Sequence, residues 1–444
     1  MIIIPKEIVT VNSRMEILTN HFIEINNGVI ARIDKLNNLN FNDYDADTIM
    51  KKEGLTLLPG FVQTHIHLCQ TLFRGLADDL LLLDWLQKKI FPYENAHNSD
   101  SLGISAQLGI SELFMSGTTT LLDMGTMNFQ EVIFDEMINS GIRGFSGKCM
   151  IDENDLYPPF KESTANSLKS TLDLATEFHN TAGGRVKYGF APRFVLSCSE
   201  GLLKETFEMM QDFDGALYHT HSSENKGEIE AVRKKHGKEN IEYFDSINIL
   251  SDKTVLAHAI HTNEKELTLL KDSGTRVAHC PSSNLKLGSG IADIPRYLED
   301  GISISLGADG APCNNNLNMF TEMRLASLIQ KPIYNPTVMN AEQMIRLATI
   351  EGARALHLEN EIGSIEVGKK ADLILINLEK SNHSMLMENK NIYSAIVYES
   401  DKSDIDSVMI NGKWVVRQGE NLMYDETELL RKGRAELQKL LNRV

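Results

Sequence analysis

The sequence predicts an α/β protein, a (β/α)8 TIM-like barrel inserted in a small split β-sandwich. Eight apolar, strand-like segments alternate with amphipathic helical segments between residues 57 and 309. Short segments rich in β-branched residues lie on both sides of that region. No Gly-rich dinucleotide fingerprint follows any of the eight strands, which disfavours the alternative of a doubly wound open sheet.

The N-terminal segment, residues 1–55, contains four short runs of β-branched residues. The sequence Asn26-Asn27-Gly28 lies between two of them and predicts a tight hairpin. We therefore expect residues 1–55 to form the N-terminal part of the β-sandwich, with the catalytic barrel following at residues 56–360.

The C-terminal segment, residues 361–444, is also β-rich. A turn-rich passage leads into an apolar strand that ends at Ile376, and residues 392–398 and 407–416 are predicted to form further strands. The final stretch, 426–444, has the pattern of a charged helix. We expect this segment to complete the β-sandwich begun by the N-terminal one.

The eight predicted barrel strands are buried-looking runs of similar length. In chain order they are residues 57–67, 118–123, 143–150, 186–194, 216–221, 254–261, 276–281 and 303–309. In such a barrel, functional side chains collect at the carboxyl ends of the strands. The last residues of each strand are therefore the candidates for a site.

Composition excludes several classes of partner. The formal net charge of −17 argues against nucleic acid and against anionic membrane surfaces. Five cysteines without a CxxC motif do not form a disulfide framework, which is typical of a cytoplasmic protein. The N-terminus lacks the apolar core of a signal peptide, and no apolar run reaches the length of a membrane span.

Histidines concentrate at the predicted strand ends. The first strand ends in His65-Ile66-His67, where alternation places both imidazoles on one face. Seven of the thirteen histidines fall at such positions, and the eighth strand ends in an aspartate. These residues are His65, His67, His219, His221, His258, His261, His279 and Asp309. The concentration argues against scattered surface histidines.

Three neutral imidazoles and a carboxylate suit Zn²⁺ and leave a position for water, although Fe²⁺ and Mn²⁺ accept the same ligands. A metal-bound water is a hydroxide-like nucleophile near neutral pH. Glu224, three residues after His221, is placed to carry protons without ligating the ion. The fourth strand has no lysine at its site-facing end to bridge two metals, which favours one ion per chain. Arg193 at its end is either a substrate contact or a salt-bridged arginine.

These residues resemble the amidohydrolase superfamily, in the segment PGFVQTHIH, the strand-five histidine, His258 and Asp309. Within it, three long segments resemble the 5′-methylthioadenosine/S-adenosylhomocysteine deaminases and the 5′-deoxyadenosine deaminases. They are TLFRGLADDLLLLDWLQKKIFPYE, HCPSSNLKLGSGIADI and LGADGAPCNNNLNMFTEMRLASLIQK. The resemblance implies hydrolytic deamination of adenosine-type nucleosides by a homo-oligomeric enzyme with a small-molecule substrate.

The resemblance also implies residue roles. The implied metal ligands are His65, His67, His221 and Asp309. The implied catalytic residues are Glu224, which moves a proton to purine N1, His258, which orients the water, and Asp309, which accepts a proton. The implied substrate contacts are Glu94 on the ribose hydroxyls, Trp85 as an aromatic wall, Arg193, Lys148, Glu224 and Asp309, with His279 and Asn284 shaping the loop after strand seven.

Some residues depart from that group. Lys148 is the one visible cation for a homocysteine carboxylate, where relatives carry two arginines. PRFVLSCSE, which includes Arg193, resembles guanine deaminases instead. Guanine or another aminopurine is therefore the first rival substrate, and triazine-type hydrolysis the second. A non-catalytic binding protein is a third alternative, disfavoured because every ligand position is filled.

Overall fold

The structure is a computed model that describes residues 1–380 and 391–444. The chain begins with five strands: β1 (Ile2–Val9), β2 (Ile17–Thr19), β3 (His21–Asn26), β4 (Val29–Lys35) and β5 (Ile49–Pro59). Asn26 and Val29 pair across the turn between β3 and β4, so the predicted hairpin is confirmed.

A parallel barrel follows. Its strands are β6 (Phe61–His67), β7 (Thr118–Asp123), β8 (Arg143–Ser146), β9 (Cys149–Met150), β10 (Val186–Pro192), β11 (Leu217–Ser222), β12 (Thr254–His258), β13 (Arg276–His279), β14 (Ile304–Leu306) and β15 (Asp309–Gly310). The eighth barrel strand is in two pieces, since β14 pairs with β13 and β15 pairs with β6. The two pieces close the ring, and the predicted barrel is confirmed.

The C-terminal strands are β16 (Leu373–Ile376), β17 (Ile405–Ile410), β18 (Lys413–Arg417) and β19 (Glu420–Asn421). They join β1–β5 in one nine-stranded sheet, in which β16 pairs antiparallel with β5. The two chain ends thus form a single β-unit, as predicted. The division of the chain at residues 55 and 360 remains a prediction, and β5 spans the first of these positions.

The α-helices occupy the connections between barrel strands and the C-terminus. They are α1 (Leu82–Trp85), α2 (Phe91–Asn95), α3 (Ser99–Met115), α4 (Gln130–Ser140), α5 (Thr164–Phe178), α6 (Thr181–Gly184), α7 (Glu200–Met210), α8 (Lys226–His236), α9 (Asn240–Ser246), α10 (Glu264–Ser273), α11 (Pro281–Lys286), α12 (Ile294–Glu299), α13 (Ala311–Asn314), α14 (Met319–Gln330), α15 (Ala341–Ala348), α16 (Ile350–Ala355), α17 (Ile392–Ser394) and α18 (Glu426–Leu441). Within the described residues, none of these helices has the length and apolar character that crossing a membrane requires.

Two segments differ from the sequence prediction. The strand predicted from residue 57 to His67 is divided at Gly60 between the two sheets. A Cβ at Gly60 would lie 2.1 Å from Thr119 Oγ1, so this crossing point requires glycine. The strand predicted at 392–398 is wrong, because that segment is helical and starts under an Asn391 cap. A short apolar run does not distinguish a strand from a buried helix, and here tertiary packing decides.

The barrel interior changes from apolar to polar along its axis. Its lower layer consists of Val62, Leu122, Phe145, Leu217, Val255 and Ala278, which pack together. Above it, Thr64 and Ser305 share a hydrogen bond of 2.7 Å. The next inward-facing residues are the histidines at the strand ends. An apolar layer therefore fills the lower part of the barrel, and the Thr64–Ser305 pair separates it from the site.

A buried ion pair joins the barrel to the terminal sheet. Arg143 of β8 donates two hydrogen bonds to Asp372, beside β16, with Nε–Oδ2 at 2.6 Å. The two side chains are only 4% and 1% exposed. Asp372 also accepts from the backbone of Asn411 between β17 and β18. One carboxylate thus fastens three segments from distant parts of the sequence.

Replacing Arg143 by methionine should destabilise the protein by about 3–5 kcal/mol, because it leaves the Asp372 charge buried and unpaired. Urea denaturation followed by circular dichroism measures this loss. Lys169→Met is the matched control, since its pair with Asp173 is 75% and 62% exposed and should contribute less than about 1 kcal/mol. Equal losses in the two variants would contradict the role of the buried pair.

Candidate metal centre and active site

The barrel brings four predicted ligands together at the carboxyl ends of β6 and β11 and at the start of β15. In β6, Ile66 points outward into the core beneath the helices, so His65 and His67 point inward. Asp309 pairs in register with Ile66, which places it between the two histidines. His221 is the penultimate residue of β11, which lies opposite β6 in the ring.

The ligand atoms have the separations of a shared coordination sphere. Asp309 Oδ1 lies 3.2 Å from His65 Nε2 and 3.3 Å from His67 Nε2. His67 Nε2 is 3.3 Å from His221 Nε2. Ligand atoms around a tetrahedral ion with bonds of about 2.0–2.1 Å lie about 3.3–3.4 Å apart. Since the buried His65 Nε2 has no hydrogen-bond partner in the described chain, these four residues fit a divalent metal.

Burial sets the protonation states that such an ion needs. It holds the pKa of His67 and His221 well below the usual value, with the neighbouring His65 adding to the effect, so both imidazoles are neutral. Burial opposes the charge on Asp309, but the adjacent imidazoles of His65, His258 and His67 still hold its pKa well below the usual value. The cluster offers three neutral nitrogens and one carboxylate.

The far atoms of these ligands are held by a second layer of residues. His65 Nδ1 lies 2.9 Å from His219 Nε2, and His221 Nδ1 donates to the backbone carbonyl of Arg193 at 2.8 Å. Ser283 donates to Asp309 Oδ2 at 2.6 Å. Such contacts fix the ring orientation and the tautomer of a metal ligand.

Glu224 and His258 lie beside the cluster. Glu224 Oε2 is 3.7 Å from His258 Nε2, which is also 3.8 Å from Asp309 Oδ2. Burial raises the pKa of Glu224 to about 7, and its Oε1 has no partner among the residues described. His258 Nδ1 lies 2.8 Å from Asn284 Oδ1. A carboxyl group with that pKa gains and loses a proton readily near neutral pH.

Glu94 and Arg193 form a buried pair next to this cluster. Arg193 donates to Glu94 through two nitrogens, the shorter contact being 2.7 Å, and Gln70 donates to Glu94 Oε1 at 2.7 Å. The guanidinium also lies over the ring of Phe91, 5.1 Å from its centroid. Arg193 lines the cavity above the cluster, whereas Glu94 is not among the lining residues of the described chain. The salt-bridged alternative for Arg193 is thus the geometry found.

Comparison with known proteins identifies the family. A model of the amidohydrolase family matches residues 56–415. A 5′-deoxyadenosine deaminase from Methanobrevibacter smithii is 36% identical over 422 residues, covering 94% of this chain and 95% of that protein. The chain belongs to the amidohydrolase family. It is therefore a hydrolase that acts on carbon–nitrogen bonds with a divalent metal.

Two further relatives share nearly the full length. A 5-methylthioadenosine/S-adenosylhomocysteine deaminase from Thermoanaerobacter pseudethanolicus is 34% identical over 414 residues, which is 93% of each chain. A solved structure of an adenosine deaminase from Xanthomonas campestris with bound zinc superposes with a TM-score of 0.90 at 27% identity, covering 99% of this chain and 98% of that one.

The wall of the amidohydrolase cavity is apolar. Trp85, Leu86, Phe194 and Leu287 line it above the cluster. The Trp85 indole nitrogen is buried and has no partner within the described chain, so it is available to a ligand. These residues suit a flat heterocycle, and Trp85 lies where an aromatic wall was expected.

Lys148 lies away from this cavity. Its ammonium group contacts the Met127 carbonyl and pairs with Glu162 at 3.1 Å. Lys148 is not among the cavity-lining residues that the structure describes, and both of its contacts would have to break before it could meet a substrate carboxylate. The structure does not bring this predicted contact to the site.

Several residues of the second layer were not assigned a role from the sequence. His219 was visible in His219-Thr220-His221, where alternation places it on the inward face beneath His221. Gln70 and Ser283 carried no signal, because their partners Glu94 and Asp309 are 24 and 26 residues away in the chain.

The cluster should bind about one divalent ion per chain, and His67→Ala should lose it, because one of four ligands is removed. Elemental analysis after gel filtration measures the content. His279→Gln is the matched control, since His279 is equally buried but its ring nitrogens contact no partner in the described chain. Two tightly bound ions per chain, or full metal content in the His67 variant, would contradict this site.

Proposed function

We propose that this amidohydrolase removes the 6-amino group of adenosine-type nucleosides, giving the inosine analogue and ammonia, with one Zn²⁺ per chain. The observation that supports it most directly is Glu224, a buried carboxyl with an unpartnered oxygen beside His258 and the metal cluster. The relatives named for 5′-deoxyadenosine, 5-methylthioadenosine and S-adenosylhomocysteine support the nucleoside as substrate.

The residues divide the chemistry between them. The bound ion would lower the pKa of a coordinated water and so supply a nucleophile near neutral pH. His258, which Asn284 holds in place, orients the water toward purine C6. Asp309 accepts a proton from the water, and a proton is delivered to the 6-amino group as its bond to C6 breaks and it leaves as ammonia. Glu224 delivers a proton to N1, which makes C6 electrophilic, and each such transfer contributes on the order of 10²–10⁴-fold.

The substrate is a small molecule bound between Trp85 and the metal cluster. Because Lys148 is engaged elsewhere and is a point charge without the fork of an arginine, S-adenosylhomocysteine should be a weaker substrate than 5′-deoxyadenosine, methylthioadenosine or adenosine. The net charge of −17 supports the absence of nucleic-acid and membrane partners. A cytoplasmic location, expected from the cysteine pattern, and a homo-oligomeric state, expected from the resemblance, remain predictions.

A free aminopurine such as guanine is the second candidate, and the Glu94–Arg193 pair favours it. Glu94 was expected to grip the ribose hydroxyls, yet both of its oxygens already accept hydrogen bonds from Arg193. Arg193 lines the cavity, and its guanidinium has more N–H donors than the two bonds to Glu94 use. A base with an acceptor at that position would bind without a ribose.

Glu224→Gln should lower kcat by roughly 10²-fold or more while the metal is retained, because an amide keeps the shape but cannot transfer a proton. Steady-state ammonia release and metal analysis on the same sample measure both quantities. Turnover close to that of the unmodified enzyme would remove Glu224 from the mechanism.

Substrate class is tested by the ribose hydroxyls. If Glu94 receives them, adenosine should exceed 2′-deoxyadenosine in kcat/KM by about 10- to 100-fold, since a hydrogen bond to a charged group contributes about 1.5–3 kcal/mol. Free adenine should be poorer still. The 2′-hydroxyl preference should collapse in Glu94→Gln. If guanine is the best substrate and adenosine is not preferred over 2′-deoxyadenosine, the nucleoside proposal is wrong and the second candidate function replaces it.

A further inference from the structure

Glu228 lies in the first turn of α8, directly after the segment that carries Glu224. Its Oε2 accepts the backbone N–H of Glu224 at 2.8 Å and that of Asn225 at 3.3 Å. Its Oε1 accepts a hydrogen bond from the side chain of Asn240 in α9. The residue is 1% exposed and lines the cavity. A buried carboxylate therefore holds the backbone of the proposed proton carrier.

We propose that Glu228 is a positioning residue that fixes the Glu224 carboxyl group opposite His258. The inference rests on the proposed role of Glu224. The turn between β11 and α8 needs such a support, because Ser223 adopts a left-handed backbone with φ of 51°. A non-glycine residue holds that conformation only when its surroundings enforce it.

The other side of the same turn is joined to the segment that follows His258. The Ser223 carbonyl accepts the N–H groups of Ile260 at 2.9 Å and His261 at 3.1 Å, and the Ser222 carbonyl accepts that of Ala259 at 2.9 Å. These bonds hold the two loops side by side. Glu228 supplies the remaining support, on the α8 side, so the Glu224–His258 separation depends on it.

The chain contains a second carboxylate with the same capping geometry. Glu266 caps α10 with Asn263 as Glu228 caps α8 with Asn225, and both arrangements are complete capping boxes. Glu266 Oε1 accepts the N–H of Ile241 at 3.0 Å, as Glu228 reaches Asn240. Glu266 is 2% exposed, and its hydrogen-bond partners do not include Glu224. The two residues share a helix-capping role and differ in what they position.

The test compares Glu228→Gln with Glu266→Gln. Each amide places an NH₂ donor against backbone or side-chain donors, so both variants should lower the thermal midpoint to a similar extent. Only Glu228→Gln should lower kcat, by roughly 10-fold or more with KM within about 3-fold and full metal content, because a displaced proton carrier affects turnover rather than binding. Glu266→Gln should keep kcat within about 2-fold.

Equal kcat values in the two variants would overturn the inference, since Glu228 would then only cap a helix. If Glu228→Gln does not fold, Glu228→Asp decides, because the shorter side chain keeps the charge but does not reach the Glu224 N–H. Unchanged kcat in Glu228→Asp would then overturn the inference. Glu224→Gln, assayed alongside, separates the two proposals. An active Glu224→Gln variant contradicts the proposed function. An inactive Glu224→Gln variant together with an unimpaired Glu228→Gln variant contradicts only the positioning role.

Discussion

The site depends on the burial of ionisable groups in a place that offers them few partners other than one another. Three imidazoles and the Asp309 carboxylate lie in contact with one another; His65, His67 and Asp309 are almost fully excluded from water, and His221 is partly buried. Protonating the imidazoles there is unfavourable, so the cluster carries lone pairs that converge on one point. A divalent cation is the partner that satisfies them together. The second layer of residues, His219, Ser283 and the Arg193 carbonyl, holds these side chains in position.

Closure of the barrel is what aligns Asp309 with the histidines. The eighth strand breaks after Leu306 and resumes at Asp309, where φ is 61°. At Gly307, a Cβ would come within 2.7 Å of the His65 carbonyl, so the backbone crosses the ring at close contact. The strain at Asp309 is therefore located in the candidate metal cluster, and functional sites are where backbone strain usually occurs.

The order of strands and helical segments predicted the fold, and alternation within the first strand predicted that two histidines share a face. The full set of ligands was implied by the family resemblance. His65 and His67 are two residues apart on β6, and that spacing has one geometric meaning in a strand. The pairing of Glu94 with Arg193 could not be predicted in this way, because 99 residues separate them and no local pattern connects α2 with the end of β10. The helix at Ile392–Ser394 was missed for a related reason, since β-branched residues favour strands until packing overrides them. Local periodicity indicates which face a residue occupies, whereas its partner is decided by tertiary contact.

The Glu94–Arg193 pair limits how a nucleoside can be recognised. Removing the guanidinium from Glu94 would leave a carboxylate buried without a counter-charge, which is costly in an environment of low polarity. A ribose that reaches Glu94 must therefore bind with Arg193 still beside it. Each hydroxyl could then donate to the carboxylate and accept from the guanidinium, so the pair would recognise a diol as a unit. The same pair would hold a base carbonyl through Arg193 alone. Both candidate substrates thus make use of one buried ion pair, and the difference between them lies in whether Glu94 takes part.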